Sequence, residues 1–99
     1  MLFVVTAIDK KDSLDLRLAT REAHFAFARD TGRIKLGGPF LNAKGEMAGS
    51  MMVIEAPDLE TAEAWHMEDP YVKAGLFESS DIRPWKPALN AVGADFGGV

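Results

Sequence analysis

Hydrophobic and polar positions along the chain predict the order strand, helix, strand, strand, helix, strand. Residues 2–8 form a continuous apolar run rich in β-branched side chains, which is typical of a strand buried on both faces. A hairpin is predicted at the centre. Its first strand is marked by Ile34, Leu36 and Phe40, its turn by the polar segment 42–45, and its second strand by residues 51–54. This order predicts an α+β fold of the split βαβ, or ferredoxin-like, type with a four-stranded antiparallel sheet.

The first helical region carries two apolar stripes on nearly opposite sides. Asp12 or Ser13 is expected to cap its start, and Gly32 to end it as the C′ glycine. One stripe contains Leu14, Leu18, Phe25 and Ala28, and the other contains Leu16, Ala23 and Phe27. Two explanations remain open: either the region bends near Thr20, which would cap a second helix, or the second stripe faces another subunit.

The second helical region has a clear beginning and a clear end. Asp58 is a good N-cap after the third strand. Asp69 precedes Pro70, so the helix should stop there and Asp69 should cap a new short turn that Gly75 closes. Residues 76–87 then predict the last strand, whose two prolines cannot donate to a ladder, so its far end should lie at an edge or leave the sheet.

The strand pattern predicts one domain, residues 1–87, that associates with a second copy. Two helices cover only one face of such a sheet, yet residues 2–8 and 51–54 are apolar on both sides. The second face should therefore be covered by a second copy packed sheet to sheet, which gives a two-fold homodimer. The alternative is a monomer whose tail, residues 88–99, folds over the sheet. That tail has little pattern and should be loosely held unless a partner covers Leu89, Val92 and Phe96.

Composition narrows the range of functions. The chain has 26% charged and 47% hydrophobic residues, as expected of a soluble globular domain, and its formal charge of −4 argues against a nucleic-acid binder. Cysteine is absent, which excludes disulfides, thiolate chemistry and cysteine-based zinc sites. No basic region precedes the first apolar run, so we expect a strand there, no membrane anchor and a cytoplasmic location.

His24 and Asp69 are the main candidates for chemistry. Imidazole is the natural proton carrier near neutral pH, and His24 shares a helix side with Arg21. The Asp69 carboxylate could cap its turn and also reach His24, fixing the tautomer of the ring. His66 is expected to be structural. The two histidines lack a ligand spacing, so neither a metal nor a cofactor is expected.

Two glycine-containing segments lie on the predicted central strands. Gly37-Gly38-Pro39 and Gly49-Ser50 expose bare backbone, which marks either a bulge or a close approach by a ligand or by another backbone segment.

The chain resembles the YciI-like (YCII-related) family. The similarity extends in order to about residue 87 and is carried by residues 1–28, by GRIKLGGPF, by Gly49-Ser50 and by DPYVKAGLFESSDIRPWKP. The resemblance implies a ferredoxin-like fold assembled as a dimeric α/β barrel, with a pocket that holds a His-Asp pair. These two residues correspond to His24 and Asp69. The family includes dehydrochlorinase-type lyases that act on chlorinated aromatics.

The resulting hypothesis is a small-molecule enzyme of the lyase or isomerase type. His24 would act as general acid or base, Asp69 would orient it, and Arg21 would attract an anionic group. Gly38, Pro39, Ser50 and Tyr71 would complete the substrate site, with an apolar lining from Phe25, Phe40, Met51 and Trp85. The alternatives are a non-catalytic ligand-binding protein and a dimerisation module, whose assembly a charge at Met52 or Val53 would break.

Overall fold

The computed structural model describes residues 1–97, which form one four-stranded sheet with helices packed on one of its faces. The elements are β1 (Leu2–Asp9), α1 (Leu14–Thr31), β2 (Ile34–Leu41), β3 (Met47–Glu55), α2 (Leu59–Met67), α3 (Pro70–Lys73) and β4 (Phe77–Trp85). The strand order is β2-β3-β1-β4, and every neighbouring pair is antiparallel. The predicted ferredoxin-like α+β fold is therefore confirmed, with α3 as an additional helical turn.

The pleat of β1 divides the apolar run into two sets of side chains. Phe3 and Val5 face the helices and pack with Ile54 of β3 and Trp65 of α2 in the main core. Leu2 lies on the opposite face. Because successive side chains of a strand point to opposite faces, an unbroken apolar run supplies two apolar surfaces, and only one of them is covered by the helices.

The C-terminal tail covers one end of the helix-free face. Phe96 is buried against Leu2 and Val53, and its ring meets Trp85 edge to face at 6.0 Å between centroids. The chain itself thus covers one of the three apolar tail residues for which a partner was expected. The other two, Leu89 and Val92, remain exposed.

The part of the helix-free face formed by β2, β3 and the end of β1 is apolar and exposed. Leu36 pairs with Val53, Gly38 with Met51, and Phe40 and Ile8 both pair with Gly49, so their side chains lie on this face. Leu36, Phe40, Met51 and Ile8 are between 36% and 46% exposed. Gly49 is needed at this point because a Cβ there would lie 2.5 Å from the Ala7 carbonyl oxygen of β1.

Helix α1 runs without interruption, so Thr20 does not cap a second helix. The Thr20 hydroxyl instead donates to the Leu16 carbonyl one turn back, at 2.8 Å. Neither predicted apolar stripe forms a buried face of α1, whose two buried residues are Arg17 and His24. Polar side chains can occupy this face because each finds a buried carboxylate on another element.

The local capping signals are confirmed, with one exception. Gly32 ends α1 with φ 64°, and Asp58 accepts a hydrogen bond from the Thr61 N–H at 2.8 Å. Asp69 caps α3 by accepting from the Tyr71 N–H at 2.9 Å. Ser13 precedes α1 but makes no side-chain cap, and its hydroxyl donates to the Lys11 carbonyl instead.

Candidate active site

The structure brings His24 and Asp69 into contact, although 45 residues separate them in the sequence. The Nδ1 atom of His24 lies 2.9 Å from Oδ1 and 3.1 Å from Oδ2 of Asp69. Asp69 has no exposed surface, and the same Oδ1 accepts the Tyr71 N–H that begins α3. The hydrogen bond that caps α3 therefore fixes the carboxylate in the position where it contacts the imidazole of His24.

The contact with Asp69 determines which nitrogen of His24 carries the proton. An ionised carboxylate can only accept hydrogen bonds, so Nδ1 must be the protonated nitrogen of the neutral ring. Nε2 then carries a lone pair, and it is the atom that can take up a second proton. The imidazole also stacks on the Tyr71 ring, at 4.2 Å between centroids and 17° between planes, which fixes its orientation.

His24 borders a cavity of about 220 Å³ that lies within one chain, between α1 and the strands β2 and β3. Its wall includes all of the predicted substrate-binding residues, namely Arg21, Gly38, Pro39, Ser50 and Tyr71. The remainder is mostly apolar and comes from Phe25, Ala28, Ile34, Gly37, Met47 and Met52, together with Arg17. Asp69 does not line this cavity, and it reaches the site through His24.

Three of the four predicted apolar lining residues lie elsewhere. Phe25 borders the cavity, but Phe40, Met51 and Trp85 do not. The first two lie on the helix-free face, and Trp85 pairs with Leu2, whose side chain also points to that face. Side chains of neighbouring strand residues point to opposite faces, so Met52 reaches the cavity and Met51 cannot.

Arg17 is a component of the site that the sequence reasoning missed. Its guanidinium binds Asp9 through Nε at 2.8 Å and Nη2 at 3.2 Å. Nη2 also donates to the Gly49 carbonyl and to the Ser50 hydroxyl, each at 2.7 Å. One signal in the sequence could have revealed Arg17: it lies at the spacing i, i+4, i+7 with Arg21 and His24, which places all three on one helix face.

The ring of Tyr71 contacts both His24 and Arg17. His24 stacks on this ring, and the Arg17 guanidinium carbon lies 4.8 Å from the ring centroid. Burial raises the pKa of the Tyr71 phenol above its ordinary value, an effect that the positive charge of Arg17 partly opposes. The phenol therefore stays protonated at neutral pH and can act as a hydrogen-bond donor.

Arg21 supplies a positive charge that no carboxylate within residues 1–97 neutralises by an ion pair. Its guanidinium carbon lies 5.2 Å from the centroid of the exposed Phe25 ring. By contrast, Arg17 is paired with Asp9, and His24 contacts Asp69. The cavity consequently has a net positive wall in a chain whose formal charge is −4.

His66 is buried outside this cavity. Its Nε2 lies 3.0 Å from the Ser80 hydroxyl oxygen, and its ring stacks on Phe77 at 5.9 Å between centroids. Its Nδ1 is buried without a partner among the described residues. Desolvation lowers the pKa of His66 below its ordinary 6.5, although the negative charge of Asp69 opposes this effect.

Residues 1–97 hold neither a cluster of metal-ligating side chains nor a membrane-spanning helix. They contain no cluster of three or more histidine, aspartate or glutamate side chains that could hold a metal ion. None of their helices is long and apolar enough to cross a membrane.

Comparison with known proteins identifies the family. The sequence model of the YCII-related domain family matches residues 1–86 of this chain. The chain belongs to the YCII-related family. Protein YciI of Escherichia coli O6:H1 is 41% identical over 95 residues, which cover 87% of this chain and 97% of that protein. A protein of Haemophilus influenzae Rd is 30% identical over the same shares of each chain.

One of the solved structures that resemble this YCII-related chain is that of an enzyme. The 5-chloro-2-hydroxyhydroquinone dehydrochlorinase TftG of Burkholderia phenoliruptrix AC1100, solved with 2,5-dihydroxybenzoquinone, superposes with a TM-score of 0.81. It is 33% identical, and the match covers 87% of this chain and 94% of TftG. An antibiotic biosynthesis monooxygenase superposes with a TM-score of 0.55 at 14% identity, over 88% of this chain and all of that one, which shows a shared fold alone.

Proposed function

We propose that this YCII-related protein is a small-molecule enzyme that uses His24 and Asp69 for general acid-base chemistry of the lyase or isomerase type. One observation carries the proposal: Nδ1 of His24 contacts a fully buried carboxylate while the same ring borders a cavity. This arrangement leaves Nε2 as the proton acceptor, and it stabilises the imidazolium that forms when a proton is taken up.

The reaction begins with transfer of a proton from an acidic O–H or C–H of the substrate to Nε2 of His24. The electron pair left behind moves into the substrate, where it either shifts a double bond or expels a leaving group on a neighbouring carbon. In dehydrochlorination of a chlorinated hydroquinone, His24 first moves a hydroxyl proton to the ring carbon that carries chlorine, which becomes tetrahedral. Loss of a second hydroxyl proton to His24 then expels chloride, and the net loss is one HCl. No oxidant or reductant is required, which suits a site that consists of acid, base and hydrogen-bond donors.

The size and charge of the cavity define the class of substrate. A volume of about 220 Å³ is smaller than the ~300–1,000 Å³ typical of sites for drug-sized ligands, so a single-ring molecule is the better match. The apolar wall favours a planar carbon skeleton, and Arg21 favours an anionic substituent. TftG, which was solved with a single-ring quinone, supports the same size class.

The experiment is chloride release from 5-chloro-2-hydroxyhydroquinone, followed by ion chromatography. We expect turnover by the unmodified protein and its loss in His24→Gln, which keeps hydrogen bonding but cannot exchange protons in the same way. The alternative, a non-catalytic ligand-binding protein, predicts that both proteins bind 2,5-dihydroxybenzoquinone equally and that neither releases chloride. Equal turnover by both proteins would remove His24 from the mechanism.

We also propose that residues 1–87 pair with a second copy through the exposed part of the helix-free face. Ile8, Leu36, Phe40 and Met51 supply an apolar surface there that the tail does not cover. Met52 and Val53 are unsuitable positions for a test, because the former packs in the main core and the latter is buried under Phe96. Met51→Asp should instead yield folded monomers in light scattering, and an unchanged dimer would contradict the proposed interface.

A further inference from the structure

Arg17 is a buried cation that takes no part in the proton transfer proposed for His24. The residue is 3% exposed, and it is held by Asp9 through two hydrogen bonds in the side-on geometry of a guanidinium-carboxylate pair. A charge pair of this kind is costly to bury unless its remaining donors also find partners. The Nη2 atom, which also contacts Asp9, donates to the Gly49 carbonyl and to the Ser50 hydroxyl of β3, and Ser50 lines the cavity.

The chemistry of Arg17 determines the direction of the Ser50 hydroxyl. A guanidinium has donors only, so Nη2, at 2.7 Å, must donate and the Ser50 oxygen must accept. The hydroxyl proton is then free to be donated elsewhere. Within residues 1–97, Ser50 donates no side-chain hydrogen bond, although the side chain lines the cavity. A ligand in the cavity is the acceptor that this geometry leaves available.

We propose that Arg17 is a positioning residue that commits the Ser50 hydroxyl to donating into the cavity, where it binds an oxygen atom carrying negative charge. This inference rests on the proposed function, because the proton removed by His24 leaves negative charge on the substrate. Donation from Arg17 also polarises the Ser50 O–H bond, which strengthens the hydrogen bond that Ser50 gives to an oxyanion.

Asp9 and the backbone of β3 fix the position of Arg17. Because Gly49 has no Cβ, β3 can approach the Ala7 carbonyl of β1, and the Gly49 carbonyl then accepts from the same Nη2 that binds Ser50. A lysine at position 17 would keep the charge but lack the planar fork, so it could not hold Asp9, Gly49 and Ser50 in this geometry together.

The experiment measures binding rather than turnover, so its result can be told apart from a failure of the proposed reaction. The probes are 2,5-dihydroxybenzoquinone, which is an anion at neutral pH, and hydroquinone, which is neutral; both are titrated by calorimetry. Ser50→Ala should weaken binding of the anion by roughly 10- to 100-fold, since hydrogen bonds to charged groups are stronger than those between neutral groups, and should weaken hydroquinone binding less. Ser50→Thr, which keeps the hydroxyl, should restore most of the affinity for the anion.

A double-mutant cycle separates positioning from a purely structural role. Arg17→Lys should weaken binding of the anion about as much as Ser50→Ala, and the double variant should bind no more weakly than Ser50→Ala alone. Where Arg17→Lys does not fold, Arg17→Met combined with Asp9→Asn leaves no unpaired buried carboxylate and carries the same expectation. Additive losses, equal losses for both probes, or failure of the unmodified protein to bind the anion at millimolar concentration would each overturn the inference.

Discussion

The two histidines of this protein are buried to a similar extent but differ in the partners of their ring nitrogens and in their access to the cavity. His24 on α1 and His66 on α2 are 8% and 4% exposed, and each stacks on an aromatic ring. His24 directs one nitrogen at a buried carboxylate and borders the cavity. His66 meets the hydroxyl of Ser80, and its second nitrogen is buried without a partner in residues 1–97.

The difference teaches that burial alone does not make a histidine a candidate for catalysis. A carboxylate beside the imidazole accepts the Nδ1–H and leaves Nε2 with a lone pair, so the ring can accept a proton there and return it. A buried nitrogen without a partner has the opposite effect, because protonation would leave an unpaired N–H⁺ in the interior. The first environment suits proton transfer, and the second keeps the ring neutral as part of the packing.

The largest expected effect is the contrast between His24→Gln and His66→Gln in turnover. Loss of a general acid or base lowers rates by about 10²–10⁴-fold, so His24→Gln should reduce chloride release to that extent. His66→Gln should stay within a few-fold of the unmodified protein in the same assay. A comparable loss in both variants would mean that the two regions do not differ in the way proposed.

Asp69→Asn tests the carboxylate while it preserves the helix cap. Asparagine is as good an N-cap as aspartate, so α3 should survive and the thermal unfolding midpoint should change little. The amide cannot stabilise an imidazolium as a carboxylate does, and turnover should fall about 10²-fold or more. Full activity in a folded Asp69→Asn protein would show that the pair has only a structural role.

Arg21→Gln should have a smaller effect, confined to binding of anions. Among the described residues 1–97 the charge of Arg21 has no ion-pair partner, and the residue is exposed, so its attraction for an anion is screened by salt. We expect a several-fold weaker affinity for 2,5-dihydroxybenzoquinone at low ionic strength and a smaller difference at high ionic strength. Hydroquinone binding serves as the neutral control, and an equal loss for both molecules would argue against a charge effect.

The smallest expected effect concerns His66 and the pH dependence of stability. Burial lowers the pKa of His66 in the folded protein, so the unfolded chain binds more protons below its ordinary pKa of about 6.5. The free energy of unfolding that His66 contributes is therefore complete above that pH and is lost as the pH falls below it, by at most about 1.4 kcal/mol per pH unit. His66→Gln should show a shallower decline in denaturant titrations, and an equal slope would contradict this assignment.

Much of the local structure could be predicted from short-range signals. Gly32 ends α1 because a glycine adopts positive φ without strain, and Asp58 and Asp69 cap the helices that follow them. The pairing of His24 with Asp69 was an expectation that depended partly on resemblance to a family, because no local rule joins positions so far apart. Arg17 was missed because the partners of its guanidinium lie on β1 and β3.

The sequence by itself determined the order of the elements, their caps and the presence of two apolar surfaces on the sheet, since these follow from periodicity and from the preferences of single residues. Only the tertiary structure decided which side chains line the cavity. That choice depends on strand register and on ion pairs between distant elements: Met51 and Met52 are neighbours in sequence, yet they lie on opposite faces of the sheet. The buried face of α1 is polar for the same reason, because carboxylates from β1 and from the start of α3 meet it there.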